Sequence, residues 1–138
     1  MRQGEAAFVD SGAWIALALL RDPLHARARE QWDALHASGA KLHCSVPVLI
    51  ETFTFLERNA NRDVALAWKE SIYKPGTVKI LSCELRDLEL SWEYFRRTDL
   101  HKLSAVDATS FAIMKRARIR LAFTFDHHFS VVGFRLVG

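Results

Sequence analysis

Apolar positions along the chain follow two alternating rhythms: short unbroken apolar or β-branched runs, and longer stretches where they recur every three or four residues. Ala6-Ala7-Phe8-Val9 is the first short run, ended by Asp10. Such runs suit strands buried on both faces of a sheet. Ser11-Gly12 punctuates, and Ala13 to Leu20 is predicted helical until Asp22-Pro23 breaks it. Leu24 to Ala37 is a second helix, closed by Ser38-Gly39. Lys41 to Ser45 is a short strand, and Pro47 fits the first turn of a helix to about Asn59, where its missing N–H costs nothing. Arg62 to Tyr73 is the next helix, stopped by Pro75-Gly76, and Thr77 to Leu81 is an alternating, β-branched strand. Glu84 to Arg97 is helical, Ser104 opens a helix to about Arg118, and Leu121 to Phe125 is a strand ended by Asp126. Gly133 to Val137 completes the chain as an edge strand.

Strands alternating with helices predict an α/β fold, a mostly parallel sheet with helices on both faces. No linker, repeat or low-complexity tract interrupts the pattern, and 138 residues suit one core, so a single domain over 1–138 is expected. Half the residues are apolar and a quarter charged, which excludes a disordered chain. The longest apolar run, Gly12 to Leu20, is less than half of the ~20 residues a membrane span needs. Glu5 and Asp10 precede it, where a signal peptide carries positive charge. The expectation is a mature start near Met1, a cytoplasmic protein and no membrane contact. Cys44 and Cys83 lack zinc-type spacing and are expected as buried free thiols. A formal charge of +3 and a pI near 9.1 are compatible with a polyanionic partner and decide nothing alone.

The candidate chemistry lies in four acids far apart in sequence. Asp10 and Asp126 each follow an apolar strand, at the end where parallel α/β sheets bind ligands, although either acid also suits a local cap. Glu51 lies three residues after Val48 and four before Phe55, at the margin of an apolar stripe with no cation at helical pairing distance. It either meets something positive or reaches sideways into water. Asp107 follows Ser104 by three, a capping-box spacing, yet shares its helix face with Phe111 and Met114. Brought together, four carboxylates would repel one another and need protons or metal. Oxygen-only ligands favour a hard ion, Mg²⁺ or Mn²⁺, over zinc.

These residues fall in motifs that resemble a known family. They are Phe8-Val9-Asp10-Ser11-Gly12, Pro47-Val48-Leu49-Ile50-Glu51, Leu103-Ser104-Ala105-Val106-Asp107-Ala108 and Phe123-Thr124-Phe125-Asp126-His127-His128-Phe129, followed by Gly133-Phe134-Arg135. In order and spacing, across essentially the whole chain, the sequence resembles a PIN domain, in particular the VapC-type toxin ribonucleases of toxin–antitoxin pairs. The resemblance implies a PIN-like three-layer α/β/α fold with a five-stranded, mostly parallel sheet. It implies an acidic site of Asp10, Glu51, Asp107 and Asp126, with Asp10 and Asp107 as direct metal ligands and the other two acting directly or through water. Ser11 and Thr124 match positions that line the pocket by hydrogen bonding. Gly12 stands where a hydroxyl or Asn-like residue is more frequent. Asp99 matches a commonly acidic position without a catalytic role.

The implied activity is a metal-dependent endoribonuclease in which Mg²⁺ or Mn²⁺ activates water against an RNA phosphodiester, leaving a 5′-phosphate and a 3′-hydroxyl. No Ser–His–acid order or phosphate loop competes, and His127-His128 are expected as surface turn residues. Lys115, Arg116, Arg118 and Arg120, with Arg96, Arg97 and Lys102, form the basic cluster that either tracks a phosphate backbone or is a solvated face. Trp14, Trp32, Trp68 and Trp92 are expected in core or dimer packing. The apolar surplus of segments 13–37 and 47–73 suits a cognate antitoxin or a second copy. Two alternatives remain open: a PIN-type RNA-processing or single-strand nuclease outside a toxin pair, and an inactive binding module.

Overall fold

The computed structural model describes residues 1–138. In chain order the elements are β1 (Ala6–Val9), α1 (Ser11–Ala18), α2 (His25–Ala37), β2 (Lys41–Ser45), α3 (Val46–Asn59), α4 (Arg62–Tyr73), β3 (Lys79–Leu81), α5 (Leu85–Tyr94), α6 (Ala105–Ala117), β4 (Leu121–Phe123), α7 (His128–Val131) and β5 (Arg135–Leu136). The five strands form one sheet in the order β3-β2-β1-β4-β5. All four pairings are parallel, so the sheet is parallel throughout rather than mostly so. From β1 the chain winds outward through β2 to β3, then returns to build β4 and β5 on the other side. The winding reverses between β1 and β4, and at such a switch point the connections leave opposite ways and open a crevice beyond the strand ends.

The helices begin where local chemistry caps them. Ser45 Oγ accepts the Val48 N–H at 3.3 Å to open α3, Asn61 Oδ1 accepts that of Val64 at 2.8 Å to open α4, and Ser104 Oγ accepts that of Asp107 at 3.0 Å to open α6. A continuous core includes Phe8, Phe111, Phe123 and Phe129. Trp14 stands edge-on to Trp32 at 5.6 Å and to Trp68 at 6.0 Å, tying α1, α2 and α4 together. Trp92, expected in core or dimer packing, lies outside the core of the single chain, half-exposed beside Phe95. The free thiol of Cys44 is buried, which pushes its pKa up to about 12, whereas Cys83 is only partly covered.

Several boundaries differ from the expected ones. The third strand starts at Lys79, because the Thr77 N–H bonds to Lys74 O in the preceding turn. The expected helix to Arg97 stops at Tyr94, and the amides of Phe95, Arg96 and Arg97 close tighter turns on carbonyls three residues back. β4 ends at Phe123, so Thr124 and Phe125 lie beyond the ladder. The sequence reading missed α7, and no helix is long and apolar enough to cross a membrane.

Part of the expected basic cluster proves to be structural. Arg116 Nε and Nη2 donate to the Asp87 carboxylate at 3.0 and 2.9 Å, and Nη2 also donates to Ser82 O at 2.9 Å. The Asp87 side chain is 1% exposed. Burial works against its charge, but Arg116 and the Glu84 N–H outweigh it and hold the carboxyl below the usual range. This joins α5 to α6. Arg116→Met is expected to destabilise the fold by about 3 kcal/mol near neutral pH, because a buried charge loses its partner. Asp87's contribution is present above its unfolded pKa and lost as pH falls through its lowered folded pKa, so the deficit shrinks in acid. Urea unfolding of the two proteins across pH checks both the size and the trend.

Candidate active site

Asp10, Glu51, Asp107 and Asp126 line one cavity of about 300 Å³, with Ser11, Gly12, Ser104 and Phe125 completing its wall. Four different elements deliver the acids. Asp10 leaves the end of β1, with its N–H on Phe123 O at 3.0 Å, so the β1–β4 ladder itself places it. Asp107 sits in the first turn of α6, fixed by the Ser104 cap. Only the Ser104 half of the anticipated capping box forms; the Asp107 side chain, instead of reaching back to the Ser104 N–H, is buried in the cavity wall. Glu51 projects from α3 and is half-buried. Asp126 lies three residues past β4, not directly after a strand.

Hydroxyl groups fix the carboxylates. Thr124 Oγ1 donates to Asp10 Oδ2 at 2.9 Å and accepts the Asp126 N–H at 3.0 Å, so one side chain holds both acids. That double contact takes the chain out of the sheet after Phe123. Ser11 Oγ donates to Glu51 Oε1, 40 residues away. One Glu51 oxygen is thus met by a hydroxyl in the cavity wall. Gly12 is exposed on the rim, and a Cβ there would meet nothing within 4 Å.

The electrostatics are those of crowded, half-dry acids. Burial pushes the Asp10 carboxyl up to about 6, against the opposing bonds from Thr124 and the Ser11 N–H and with help from Glu51 and Asp126. Burial, then the charge of Asp10 and the neighbouring Asp126, pushes Asp107 up to about 9. Burial opposes ionisation of Asp126 too, but hydrogen bonds from Asp107 and His128 hold it below the ordinary range. Burial and the neighbouring charges therefore both favour the protonated form of Asp107.

His128 was expected on the surface and is not there. It is 5% exposed, and its Nε2 donates to His101 O at 2.7 Å, which binds the α5–α6 connection to this turn. Its N–H donates to Asp126 Oδ1 at 2.9 Å, and its ring Nδ1 stands 2.9 Å from the same oxygen without hydrogen-bond alignment. The only legible sign was an acid two residues before it, the spacing of an Asx-type turn. His127 is exposed. Asp99 pairs with Arg97 through bonds of 2.9 and 2.6 Å, away from the cavity wall.

Asp10 Oδ1 is buried and has no hydrogen-bond partner. A buried carboxylate oxygen without a donor is costly unless a cation meets it. With only oxygen donors around it, the cavity fits a hard divalent ion. Asp126, His127 and His128 also place one ligand atom each within 4.8 Å of one another. That set commits one His128 nitrogen to His101 O, while its Nδ1, like Asp10 Oδ1, is buried without a hydrogen-bond partner.

A family model of the PIN domain matches residues 7–135. The chain is 36% identical over 128 residues to the 23S rRNA-specific endonuclease VapC20 of Mycobacterium tuberculosis, covering 92% of this chain and 94% of that protein. The crystal structure of VapC20, described as a sarcin–ricin-loop-cleaving toxin, superposes with a TM-score of 0.83 at 33% identity, covering 93% of this chain and 95% of that one. The fold also matches DNA-bound VapBC2 from Rickettsia felis, with a TM-score of 0.70 at 11% identity over 95% and 96% of the two chains. DNA-bound VapBC from Salmonella typhimurium gives 0.67 at 13% identity over 96% of each.

The raised acids predict an inverted pH profile for the metal-free protein. Because Asp10 and Asp107 hold protons in the folded state that the unfolded chain releases, folding binds protons and stability falls as pH rises. Their contribution is complete below the unfolded value near 4 and lost as pH rises through about 6 and about 9. In EDTA at about pH 8, Asp10→Asn is therefore expected to be more stable than wild type by about 3 kcal/mol, the rise of the Asp10 carboxyl to about 6 taken at about 1.4 kcal/mol per pH unit. The gain should vanish near pH 4. Urea unfolding at the two pH values checks it.

Proposed function

The chain belongs to the PIN-domain family, and on that footing we propose that it is a metal-dependent endoribonuclease acting as the toxin of a toxin–antitoxin pair. The observation that carries the reading is the orphaned, buried Oδ1 of Asp10 inside a cavity walled by three further carboxyls. Asp10 and Asp107 would hold Mg²⁺ or Mn²⁺ directly, and Glu51 and Asp126 would complete the site directly or through water. The ion supplies Lewis-acid activation of water and offsets charge on the phosphodiester. Thr124 keeps Asp10 and the Asp126 backbone in register, Ser11 aims Glu51, and Ser104 sets the turn that carries Asp107. To hold the ion, Asp107 would have to be ionised, since ligand carboxylates bind metal without their proton.

The 36% identity to a 23S rRNA-specific endonuclease makes 23S rRNA the first substrate to test. Exposed Ile50 and Tyr73, on α3 and α4, lie beside a groove that also contains Leu49 and Phe53, a surface suited to a protein partner such as an antitoxin or a second copy. We read residues 1–138 as one PIN-like nuclease unit. Wild-type protein with Mg²⁺ or Mn²⁺ is expected to cut 23S rRNA, leaving a 5′-phosphate. EDTA should stop the reaction. Asp10→Asn and Asp107→Asn should each lower kcat/KM by more than about a hundredfold, the loss of several kcal/mol of charge stabilisation. Gel assays of labelled RNA read all three outcomes, and equal cleavage by the variants in EDTA would overturn the proposal.

A further inference from the structure

An acidic cavity repels RNA, so the substrate needs a cation close to it. The two basic residues at the far end of α6 do not provide one. Arg116 is committed to Asp87 and Ser82, and Lys115 lies over the Tyr94 ring at 5.2 Å. Both stand eight or more residues along α6 from Asp107, about 12 Å or more along the axis. Before the motif, Arg96 faces Glu93 at 3.4 Å and Arg97 is paired with Asp99.

Arg27 is differently placed. It sits in the first turn of α2, on the surface, with its guanidinium carbon 5.5 Å from the centre of the Phe125 ring. Phe125 is part of the cavity wall. Its backbone is fixed on both sides, since Thr124 bonds to Asp10 and Asp126 bonds to Thr124. The ring therefore tethers a cation to the rim of the acid cavity. The contact with the ring occupies no hydrogen-bond acceptor, and Arg27 makes neither a side-chain hydrogen bond nor an ion pair with an acid. A planar fork with free edges is matched to phosphate. Nothing about helix stability calls for Arg there: the first turn of α2 contains no acid and no side-chain cap, and a cation opposes the helix dipole at that end.

We propose that Arg27, held over the Phe125 ring, is a substrate-binding residue that takes an RNA phosphate next to the scissile one. The proposal rests on the ribonuclease reading and names the group that brings a polyanion to an acidic centre. Phe125 acts through Arg27 and is a positioning residue.

The test measures binding of a fluorescent RNA hairpin carrying the 23S rRNA sarcin–ricin loop, with Ca²⁺ present. Wild type is compared with Arg27→Ala, Arg27→Lys, Phe125→Leu and Lys115→Ala between about 50 and about 200 mM KCl. Losing one phosphate contact should make the slope of log K against log salt shallower by about 0.7 for Arg27→Ala. Arg27→Lys keeps the charge and should restore the slope, with weaker binding. Phe125→Leu should weaken binding severalfold with little change in slope, and Lys115→Ala should match wild type. With Mg²⁺ on the same RNA, Arg27→Ala should raise KM about tenfold with little change in kcat, as the loss of one charge-assisted phosphate contact. A wild-type slope for Arg27→Ala, or a slope lost in Lys115→Ala instead, overturns the proposal. Failure of wild type to cut any RNA would sink the ribonuclease reading, while the salt slopes would still decide the role of Arg27.

Discussion

The structure turns on one electrostatic constraint: four carboxyls share a small cavity at the point where the sheet reverses its winding. Burial and mutual repulsion both oppose their ionisation and push the Asp10 and Asp107 carboxyls up to about 6 and about 9 in the metal-free protein. The site is therefore held open by the rest of the fold rather than stabilised by its own contents. The β1–β4 ladder, the Ser104 cap on α6 and the twofold grip of Thr124 fix the acids before any cation is present. Preorganisation of this kind places the cost in the folding of the apo chain and leaves little rearrangement for ligand binding.

Charge elsewhere is distributed to serve the fold first. Asp87 and Arg116 join α5 to α6, which steadies the helix that carries Asp107. The net charge of +3 understates this division of labour, because several arginines are already paired within the chain. What matters for a polyanion is a cation with free donors at the cavity, and Arg27 over Phe125 is such a group. His128 adds a further layer by linking Asp126 to the carbonyl of His101, so the turn bearing the fourth acid is braced by the loop that precedes α6.

Much of this was legible in the sequence. The alternation of buried runs and helical stretches dictated a parallel α/β sheet, since period and punctuation agree along the chain. The caps at Ser45, Asn61 and Ser104 are local chemistry and sit where helices were expected to begin. The losses came where tertiary contacts override local pattern. Thr124 and Phe125 look like strand residues, but the Thr124 hydroxyl binds two acids and pulls the backbone from the ladder. Helix α7 spans four residues, too short for a periodic signal. His128 and Arg116 looked like surface groups because their partners, His101 and Asp87, are 27 and 29 residues away. Family resemblance assembled the four acids that spacing alone could only nominate.

The central claim is that Asp10 and its three companion carboxyls are the cation site. The most direct test is a crystal structure of the protein with Mn²⁺, read from the anomalous difference map. The account predicts a peak within about 2.3 Å of Asp10 Oδ1, a bonding distance for a hard ion on a carboxylate oxygen, in the cavity shared with Asp107. A peak held instead by Asp126, His127 and His128, or no peak at saturating Mn²⁺, would contradict it.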